Sequence, residues 1–295
     1  MKILLATDGS DFSEEAAKFL TSFDFTPNDS IHLFHVVSAV PYADDYRQQV
    51  LQVIGKFAPG ILKTCEQCIM PTRARLFREE GQGIPEEEIV KKAAQLDADL
   101  IVMGARGVKG LKSMFLGSVT RAVAALSDRP ILVTKPCVEK TDRPLKVLFA
   151  TDGSDSAKTA GAVLSCLPFP KGSELTILNI AWSSVADIPD RYAMEINDAL
   201  KTELAKLRAA ESERAGRVVD QAEAMLAGSF AAVHGLIKGG DPTEEVLKTA
   251  YEMKADLVVV GRRGLKGIKE MLGSVSRRLL GRAPCCVLIG KEKNR

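Results

Sequence analysis

The sequence predicts an α/β protein made of two tandem, doubly wound domains. Two repeats indicate this class: residues 3–10 (ILLATDGS) return as residues 147–154 (VLFATDGS), and residues 99–107 (DLIVMGARG) return as residues 256–264 (DLVVVGRRG). In both copies, short apolar runs alternate with segments of helical periodicity, which is typical of right-handed β-α-β crossovers and a mainly parallel sheet covered on both faces. The length of 295 residues suffices for two hydrophobic cores.

The elements of the first copy follow from its apolar pattern. Apolar runs predict strands at residues 2–7, 30–37, 72–78, 99–103 and 131–134. Apolar spacings of three and four predict helices at residues 13–23, 44–67, 85–97 and 118–127. Ser13 is expected to cap the first helix, because Glu14 and Glu15 then lie in its first turn, where the helix dipole favours anions. The second copy repeats this plan from about residue 145 to about residue 289.

Domain boundaries follow from the same repeat. We expect a first domain at residues 1–137 and a second at residues 144–291, joined by a polar stretch that prolines bound at residues 136 and 144. The second copy gains 13 residues before Gly240, the counterpart of Gly83. They fall between about residues 190 and 227, where Ala, Glu, Lys, Leu and Arg predominate and helix propensity is high. The sequence therefore predicts a longer second helix in the second domain.

Composition excludes several classes of protein. The formal net charge is +2 and carries no basic footprint of nucleic-acid binding. No apolar run approaches the ~20 residues of a membrane span, and the apolar start before Asp8 is too short for a signal-peptide core. We therefore expect a cytoplasmic protein that binds neither nucleic acid nor membranes. Its six cysteines are expected to be free thiols rather than a disulfide framework.

A glycine-rich loop in the first copy predicts an anion site. Gly104 ends a buried strand, Gly107 follows after two residues, and Gly117 opens an amphipathic helix that begins with Ser118 and Val119. The free N–H groups and the dipole of a helix start favour phosphate. Cationic side chains lie along the loop between Gly104 and Gly117, at Arg106, Lys109 and Lys112. The carboxylate of Asp8, after another strand, suits a hydroxyl or amino donor, such as a ribose or an adenine edge, at the carboxyl end of the sheet.

At these residues the chain resembles the universal stress protein family. ATP-binding members of that family carry glycine, two residues, glycine, nine residues, glycine and serine or threonine, which Gly104, Gly107, Gly117 and Ser118 match. Asp8 and Val36 match the family's aspartate after the first strand and its adenine-contacting valine after the second. The resemblance implies Rossmann-like domains of the adenine nucleotide alpha hydrolase type. It implies a five-stranded parallel sheet of order 3-2-1-4-5 in each, with the two fifth strands paired.

The resemblance also implies the ligand and the residues that hold it. ATP, with or without Mg²⁺, is the expected cofactor, and no metal site of the protein's own is expected. The residues expected to bind nucleotide in the first domain are Ala6, Thr7, Asp8, Val36, Met103, Gly104, Arg106, Gly107, Gly117, Ser118 and Val119. Whether two chains pair as a homodimer, and which protein partner the chain meets, stay open.

The second copy departs from the motif by one residue. Only eight residues separate Gly264 from Gly273, and Glu270 stands where the first copy has Ser113. A one-residue deletion either moves the helix start relative to Gly264 or tightens the loop, and a misplacement of about 1 Å is enough to weaken the positioning of phosphate. We therefore expect weaker nucleotide binding at the second-copy residues Asp152, Ile180, Gly261, Gly264, Gly273, Ser274 and Val275.

Structural explanations compete with the functional ones. The glycines could be only the turns that a parallel sheet needs, and Asp8 and Asp152 could be only helix caps. The histidines at 32, 35 and 234 have no partner at metal spacing and are expected in the core or on the surface. Cys65 and Cys68 form a lone C-x-x-C in a helical pattern, so structural thiols are favoured. Cys285 and Cys286 are expected to be buried in the last strand.

Three classes of function remain. The first is an ATP-binding regulator of the stress response, with nucleotide held mainly by the first domain. The second is a nucleotide-free scaffold of the same fold that acts through protein contacts. The third is an enzyme of related fold, such as an ATP pyrophosphatase, but residues 7–10 (TDGS) are not the Ser-Gly-Gly-x-Asp-Ser loop of those enzymes, and a Walker loop is absent. At most slow ATP hydrolysis is expected.

Overall fold

The chain folds into alternating strands and helices, as the sequence predicts. A computed structural model describes residues 1–38, 44–107, 116–136, 143–181, 198–264 and 272–292. Its strands are β1 Lys2–Ala6, β2 Ser30–Ser38, β3 Arg75–Gly83, β4 Leu100–Gly104, β5 Ile131–Thr134, β6 Lys146–Ala150, β7 Glu174–Ala181, β8 Ala232–Gly239, β9 Leu257–Gly261 and β10 Cys286–Gly290. Its helices are α1 Asp11–Leu20, α2 Asp44–Gly55, α3 Ala58–Ile69, α4 Pro85–Gln95, α5 Ser118–Leu126, α6 Asp155–Cys166, α7 Asp198–Leu226, α8 Pro242–Glu252 and α9 Ser274–Arg282.

All ten strands form one sheet in the order β3-β2-β1-β4-β5-β10-β9-β6-β7-β8. Each half has the predicted order 3-2-1-4-5 with parallel neighbours, so the fold class is confirmed. The halves join where β5 pairs antiparallel with β10, and Leu132 lies opposite Leu288. The expected pairing of the two domains through their last strands is therefore present in the structure.

This antiparallel seam separates the two carboxyl edges. Strands within each half run in one direction, and β5 and β10 run in opposite directions. The carboxyl ends of the first half therefore lie along one edge of the sheet, and those of the second half lie along the other. A helix that follows a strand runs back across the sheet, so α5 starts at the first edge and ends near the edge where β9 and β10 finish.

The hydrophobic core is continuous across the seam. Leu132 and Leu288 belong to the cluster on one face of the sheet, and Val133 and Val287 belong to the cluster on the other. All four side chains are fully buried. Because both clusters contain residues from both halves, the two domains share their core rather than touching at a polar surface.

Three predicted elements need correction. The single helix expected at residues 44–67 is two helices, because Pro59, at the start of α3, has no N–H for the carbonyl of Gly55. The third strand runs over Arg75–Gly83 rather than residues 72–78, since it pairs along the whole of β2. The sequence of this strand is mostly polar, because an edge strand is exposed to solvent, so it lacks the apolar run from which strands are predicted. The cap of α1 is Ser10 rather than Ser13. The side-chain oxygen of Ser10 accepts a hydrogen bond from the N–H of Ser13.

The long helix of the second half lies where the sequence places it. The helix α7 has 29 residues, and its C-terminal half buries Ala215, Val219, Ala222 and Leu226 against the sheet. Residues 190–197 of the predicted helical segment, and residues 137–142 of the linker, lie outside the described residues. In the part of the chain that the structure covers, no helix combines the length and apolar character that crossing a membrane requires.

Candidate functional site

The predicted site residues of the first half meet where β1 and β4 end. These strands are neighbours, with Ala6 opposite Met103. Thr7 and Asp8 follow β1, Gly104 ends β4, and Val36 lies in β2 on the other side of β1. This crevice lies between β1 and β4, where the connection after one strand crosses one face of the sheet and the connection after the other crosses the opposite face. Ligands of open α/β sheets bind at such switch points. Gly117 precedes α5, and its first turn holds Ser118 and Val119.

Asp8 lies between a tight turn and the glycine loop. One carboxylate oxygen accepts hydrogen bonds from the N–H (3.1 Å) and hydroxyl (2.6 Å) of Ser10. The intervening Gly9 has φ of +75°, a conformation that favours glycine. The other carboxylate oxygen faces Gly107, where any side chain would collide with it. Asp8 is therefore not the helix cap, a role that Ser10 fills, and the cap explanation is wrong.

The second half repeats this turn. The carboxylate of Asp152 accepts the N–H of Ser154 at 3.0 Å, Gly153 has φ of +76°, and Ser154 caps α6. A Cβ on Gly264 would come within 2.8 Å of the second oxygen of Asp152. The two aspartates thus occupy similar turns, but the hydroxyl of Ser10 donates to Asp8, whereas that of Ser154 donates to the carbonyl of Arg263 at 3.4 Å.

The glycines of the motif have different reasons to be glycine. A Cβ on Gly104 would lie 2.6 Å from the carbonyl oxygen of Phe12, and one on Gly261 would lie 2.8 Å from the backbone nitrogen of Ala157. Close packing of α1 and α6 therefore explains these two without any ligand. Gly117 differs, because its φ of −58° suits any residue and its nearest protein contacts would be at 3.4 Å. The fold itself does not require a glycine there.

The helix starts are anchored identically in the two copies. The N–H of Gly117 donates to the carbonyl of Ala105 at 2.9 Å, and the N–H of Gly273 donates to that of Arg262 at 2.9 Å. Of the two alternatives expected for the shorter second loop, a displaced helix start is therefore wrong. The difference of one residue is absorbed within residues 265–271, which lie outside the described residues, as do residues 108–115 of the first loop. The predicted contributions of Lys109, Lys112, Ser113 and Glu270 fall in these two stretches.

Both helix starts leave donors for an external acceptor. Among the described side chains, none caps α5 or α9 at Gly117 or Gly273. Of the other helices, α3 and α4 also begin without a side-chain cap, whereas α1, α6 and α8 begin with side-chain caps from Ser10, Ser154 and Asp241. The first-turn N–H groups of α5 and α9 are therefore oriented towards the crevice with the positive end of the helix dipole behind them.

A cavity of about 440 Å³ lies at the carboxyl edge of the second half. Pro242 and Val246 form an apolar wall, and Arg263 and Arg277 supply positive charge. Sequence reasoning missed all four, although Arg263 is the counterpart of the predicted Arg106. The first turn of an amphipathic helix after the third strand was the available signal for Pro242 and Val246. The cavity is lined by every residue predicted for the second site, namely Asp152, Ile180, Gly261, Gly264, Gly273, Ser274 and Val275.

Arginine side chains carry the positive charge near the glycine loops. Nε of Arg263 is buried and makes no hydrogen bond within the described residues. Burial, followed by the charge of Arg263, lowers the pKa of Arg262. In the first half, the guanidinium of Arg106 lies 5.3 Å from the ring centre of Phe12 and lines a second cavity, of about 270 Å³, at the domain junction. The structure thus places Arg106 between the first crevice and the junction.

Two of the histidines make hydrogen bonds within the fold. Nδ1 of His35 lies 2.8 Å from the carbonyl oxygen of Thr7, a contact that Asn179 repeats in the second half. Nδ1 of His32 lies 2.8 Å from a carboxylate oxygen of Glu79, 47 positions away in the sequence. Burial alone would raise the pKa of Glu79, but hydrogen bonds from Lys92 and His32 lower it. Among the described residues, no group of three or more metal-ligating side chains is present.

Of the described cysteines, Cys65, Cys285 and Cys286 are buried, Cys68 is half-buried and Cys166 is exposed. Burial raises the pKa of Cys65 to about 12, which disfavours the reactive thiolate. Cys65 and Cys68 are unbridged, and Cys285 and Cys286 are buried as expected.

Comparisons with known proteins agree with this geometry. The sequence model of the universal stress protein family matches this chain at residues 71–135 and 145–291. A universal stress protein of Thermus aquaticus is 37% identical over 144 residues, which cover 48% of this chain and 96% of that protein. One from Mycolicibacterium smegmatis is 26% identical over 304 residues, covering 99% of this chain and 97% of that protein. The crystal structure of a universal stress protein from Archaeoglobus fulgidus has the same fold along 99% of this chain and 98% of its own, with 24% identity and a TM-score of 0.67. The chain therefore belongs to the universal stress protein family.

Proposed function

We propose that this protein is an ATP-binding regulator of the stress response, with nucleotide bound at the carboxyl edges of its two halves. One observation carries the proposal: seven residues predicted from a nucleotide motif line a single cavity in the second half. Its volume of about 440 Å³ is within the usual range for small-molecule sites. The first half supports the proposal with the same turn, the same helix anchor and the same uncapped helix start.

The surroundings of the cavity fit a triphosphate nucleotide. The buried Nε of Arg263, without a hydrogen-bond partner among the described residues, is a donor that an anionic group would satisfy. The free N–H groups of the helix start and the side chain of Arg277 add further attraction for phosphate. Asp152 is the acceptor for hydroxyl or amino donors, and Ile180 with Val246 provides an apolar wall for a base.

We further propose that the first half binds ATP more tightly. The helix starts are equivalent, so the difference rests on the loops, where the second copy is one residue shorter and carries Glu270 in place of Ser113. A carboxylate near phosphate costs binding energy through like-charge repulsion. The lining of the second cavity contains one carboxylate, Asp152, and its described residues include no histidine, lysine or cysteine. At most slow ATP hydrolysis is therefore expected, and regulation would act through a protein partner.

Titration calorimetry with ATP tests the site. Valine at Gly117 and at Gly273 adds a branched side chain where backbone N–H groups are proposed to contact the nucleotide. A Cβ at Gly117 would lie 3.4 Å from its nearest neighbours, an ordinary contact, whereas one at Gly273 would lie 3.2 Å from the carbonyl oxygen of Arg262, so the backbone there must shift by a few tenths of an ångström. The double variant Gly117→Val/Gly273→Val should fold and lose ATP binding. Gly216→Val is the matched control, because a Cβ on this glycine of α7 meets nothing within 4 Å. Unchanged ATP affinity in the folded double variant would refute the proposal and favour the nucleotide-free scaffold.

A further inference from the structure

The two helices that open the sites end against the opposite half of the chain. Lys291 follows β10, and its Nζ donates to the carbonyls of Ala124 (2.6 Å) and Ser127 (2.8 Å) at the end of α5. Lys135 follows β5, and its Nζ donates to the carbonyl of Ala283 (2.6 Å) at the end of α9. The two lysines occupy equivalent positions in the repeat. Each therefore caps a helix of the domain to which it does not belong.

Arginine adds a second cross-junction contact on one side only. Arg262, within the glycine loop of the second half, donates from Nη2 to the carbonyl of Ala125 at 3.2 Å. The equivalent residue of the first half is Ala105, which lines the junction cavity of about 270 Å³ together with Lys135 and Gly281. The end of α5 is thus held by two basic side chains, Lys291 and Arg262, whereas Lys135 holds the end of α9 and Ala105 has no side chain that could add a second contact.

Sheet topology explains why these contacts exist. Because the seam is antiparallel, α5 begins at the carboxyl edge of the first half and ends at the carboxyl edge of the second. Lys291 and Arg262 both follow strands that finish at this second edge. The geometry brings the glycine loop of one half to the end of the helix that opens the site of the other.

Because α5 is short and uninterrupted, a shift of its C-terminal end also moves its N-terminal end. The nine residues of α5 span about 13 Å and form one uninterrupted helix. Its last carbonyls have no partner within the helix, and donors or cations there stabilise it. A group that fixes the C-terminal end therefore also fixes where the first-turn N–H groups point. Positioning of a ligand is sensitive to shifts of about 1 Å.

We propose that each nucleotide site is positioned in part by the opposite half of the chain. Lys291, with Arg262, is a positioning residue for the site at Gly117, and Lys135 is a positioning residue for the site at Gly273. The proposal rests on the proposed function of those sites. It makes the two domains mutually dependent for ligand binding rather than independent copies.

The test measures each site separately. Gly273→Val leaves only the first site and Gly117→Val leaves only the second, so ATP titration of each background reports one site. Lys291→Met should weaken ATP about fivefold or more in the Gly273→Val background and by less than about twofold in the Gly117→Val background, as typical coupling energies give. Lys135→Met should show the opposite pattern. Lys158→Met, at an exposed lysine of α6, is the matched control and should change neither site.

The crossed pattern distinguishes positioning from general destabilisation. Equal weakening of both sites by each lysine variant, weakening confined to the lysine's own half, or no weakening would each overturn the proposal. Should the methionine variants fail to fold, the ¹⁵Nζ resonance of Lys291 gives a second readout. It should shift when ATP fills the first site and not when ATP fills the second, and the reverse result would equally overturn the proposal. Failure of the proposed function is a different outcome, in which the glycine variants bind ATP like the unmodified chain.

Discussion

Replacing Lys291 by methionine should flatten the rise in stability of this protein from about pH 8 to about pH 10. Lys291 is buried, with 4% of its surface exposed. Burial, followed by the charge of Arg262, lowers the pKa of its ammonium from 10.5 to about 7, and Asp128 opposes this shift. Between these values the unfolded chain carries a proton on Lys291 that the folded chain lacks.

The sign and size of the effect follow from linkage. Because folding lowers the pKa, the contribution of Lys291 to stability is fully present above pH 10.5 and is lost as the pH falls towards about 7. One proton of difference corresponds to a slope of about 1.4 kcal/mol per pH unit in the free energy of unfolding. Methionine has no proton to exchange, so Lys291→Met should lower the measured slope by about that amount.

Urea denaturation at several pH values between about 8 and 10 measures the slope. The unmodified chain, Lys291→Met and the exposed control Lys158→Met are compared, so groups common to all three cancel. The substitution Lys291→Met also leaves the carbonyls of Ala124 and Ser127 without their donor, which shifts stability at every pH but not its slope. Equal slopes in the unmodified chain and Lys291→Met would show that Lys291 is protonated alike in the folded and unfolded states, and the reasoning would be wrong.

Three further predictions concern the seam, the junction and the second site. Val133→Asp buries a carboxylate without a partner and should lower the free energy of unfolding by several kcal/mol, measured by urea denaturation; a loss below about 1 kcal/mol would contradict a dry seam. Ala105→Arg should place a guanidinium in the junction cavity near the carbonyl of Gly281 and raise the unfolding free energy by about 1 kcal/mol, whereas Ala105→Met should not. ATP titration of the unmodified chain should give one tight site and a second at least about tenfold weaker. Insertion of Phe before Leu272 with Glu270→Ser should strengthen the second site, and two equal sites at the outset would refute the asymmetry.

Much of the fold was predictable because the chain repeats itself. The alternation of apolar runs and helical segments predicts parallel strands, and the resemblance supplied their order and the pairing of β5 with β10. The edge strand β3 was misplaced because its side chains meet solvent, which removes the apolar signal. The split between α2 and α3 depends on the single backbone donor that Pro59 lacks. Prediction from local sequence pattern is therefore least accurate for a solvent-exposed edge strand and for a helix break that depends on one missing hydrogen bond.

The candidate site was predictable to the extent that it is built from local motif residues. All seven residues predicted for the second site line one cavity, because glycine loops and strand ends are fixed by nearby sequence. Pro242 and Val246 come from another element and were missed. The contacts of Lys135 and Lys291 could not be inferred, since Lys291 reaches a carbonyl 167 positions away and only the folded seam brings the two together.

Covalent fusion of the halves changes what their junction can become. In a symmetric pair of identical chains every interface residue occurs twice, so a substitution on one side is imposed on the other. Here Arg262 occupies one side while Ala105 leaves a cavity on the other, an asymmetry that a fused chain can encode. Fusion also makes the pairing of β5 with β10 intramolecular, with an effective concentration that dilution does not lower. The two halves therefore stay assembled at protein concentrations at which a pair of separate chains would dissociate.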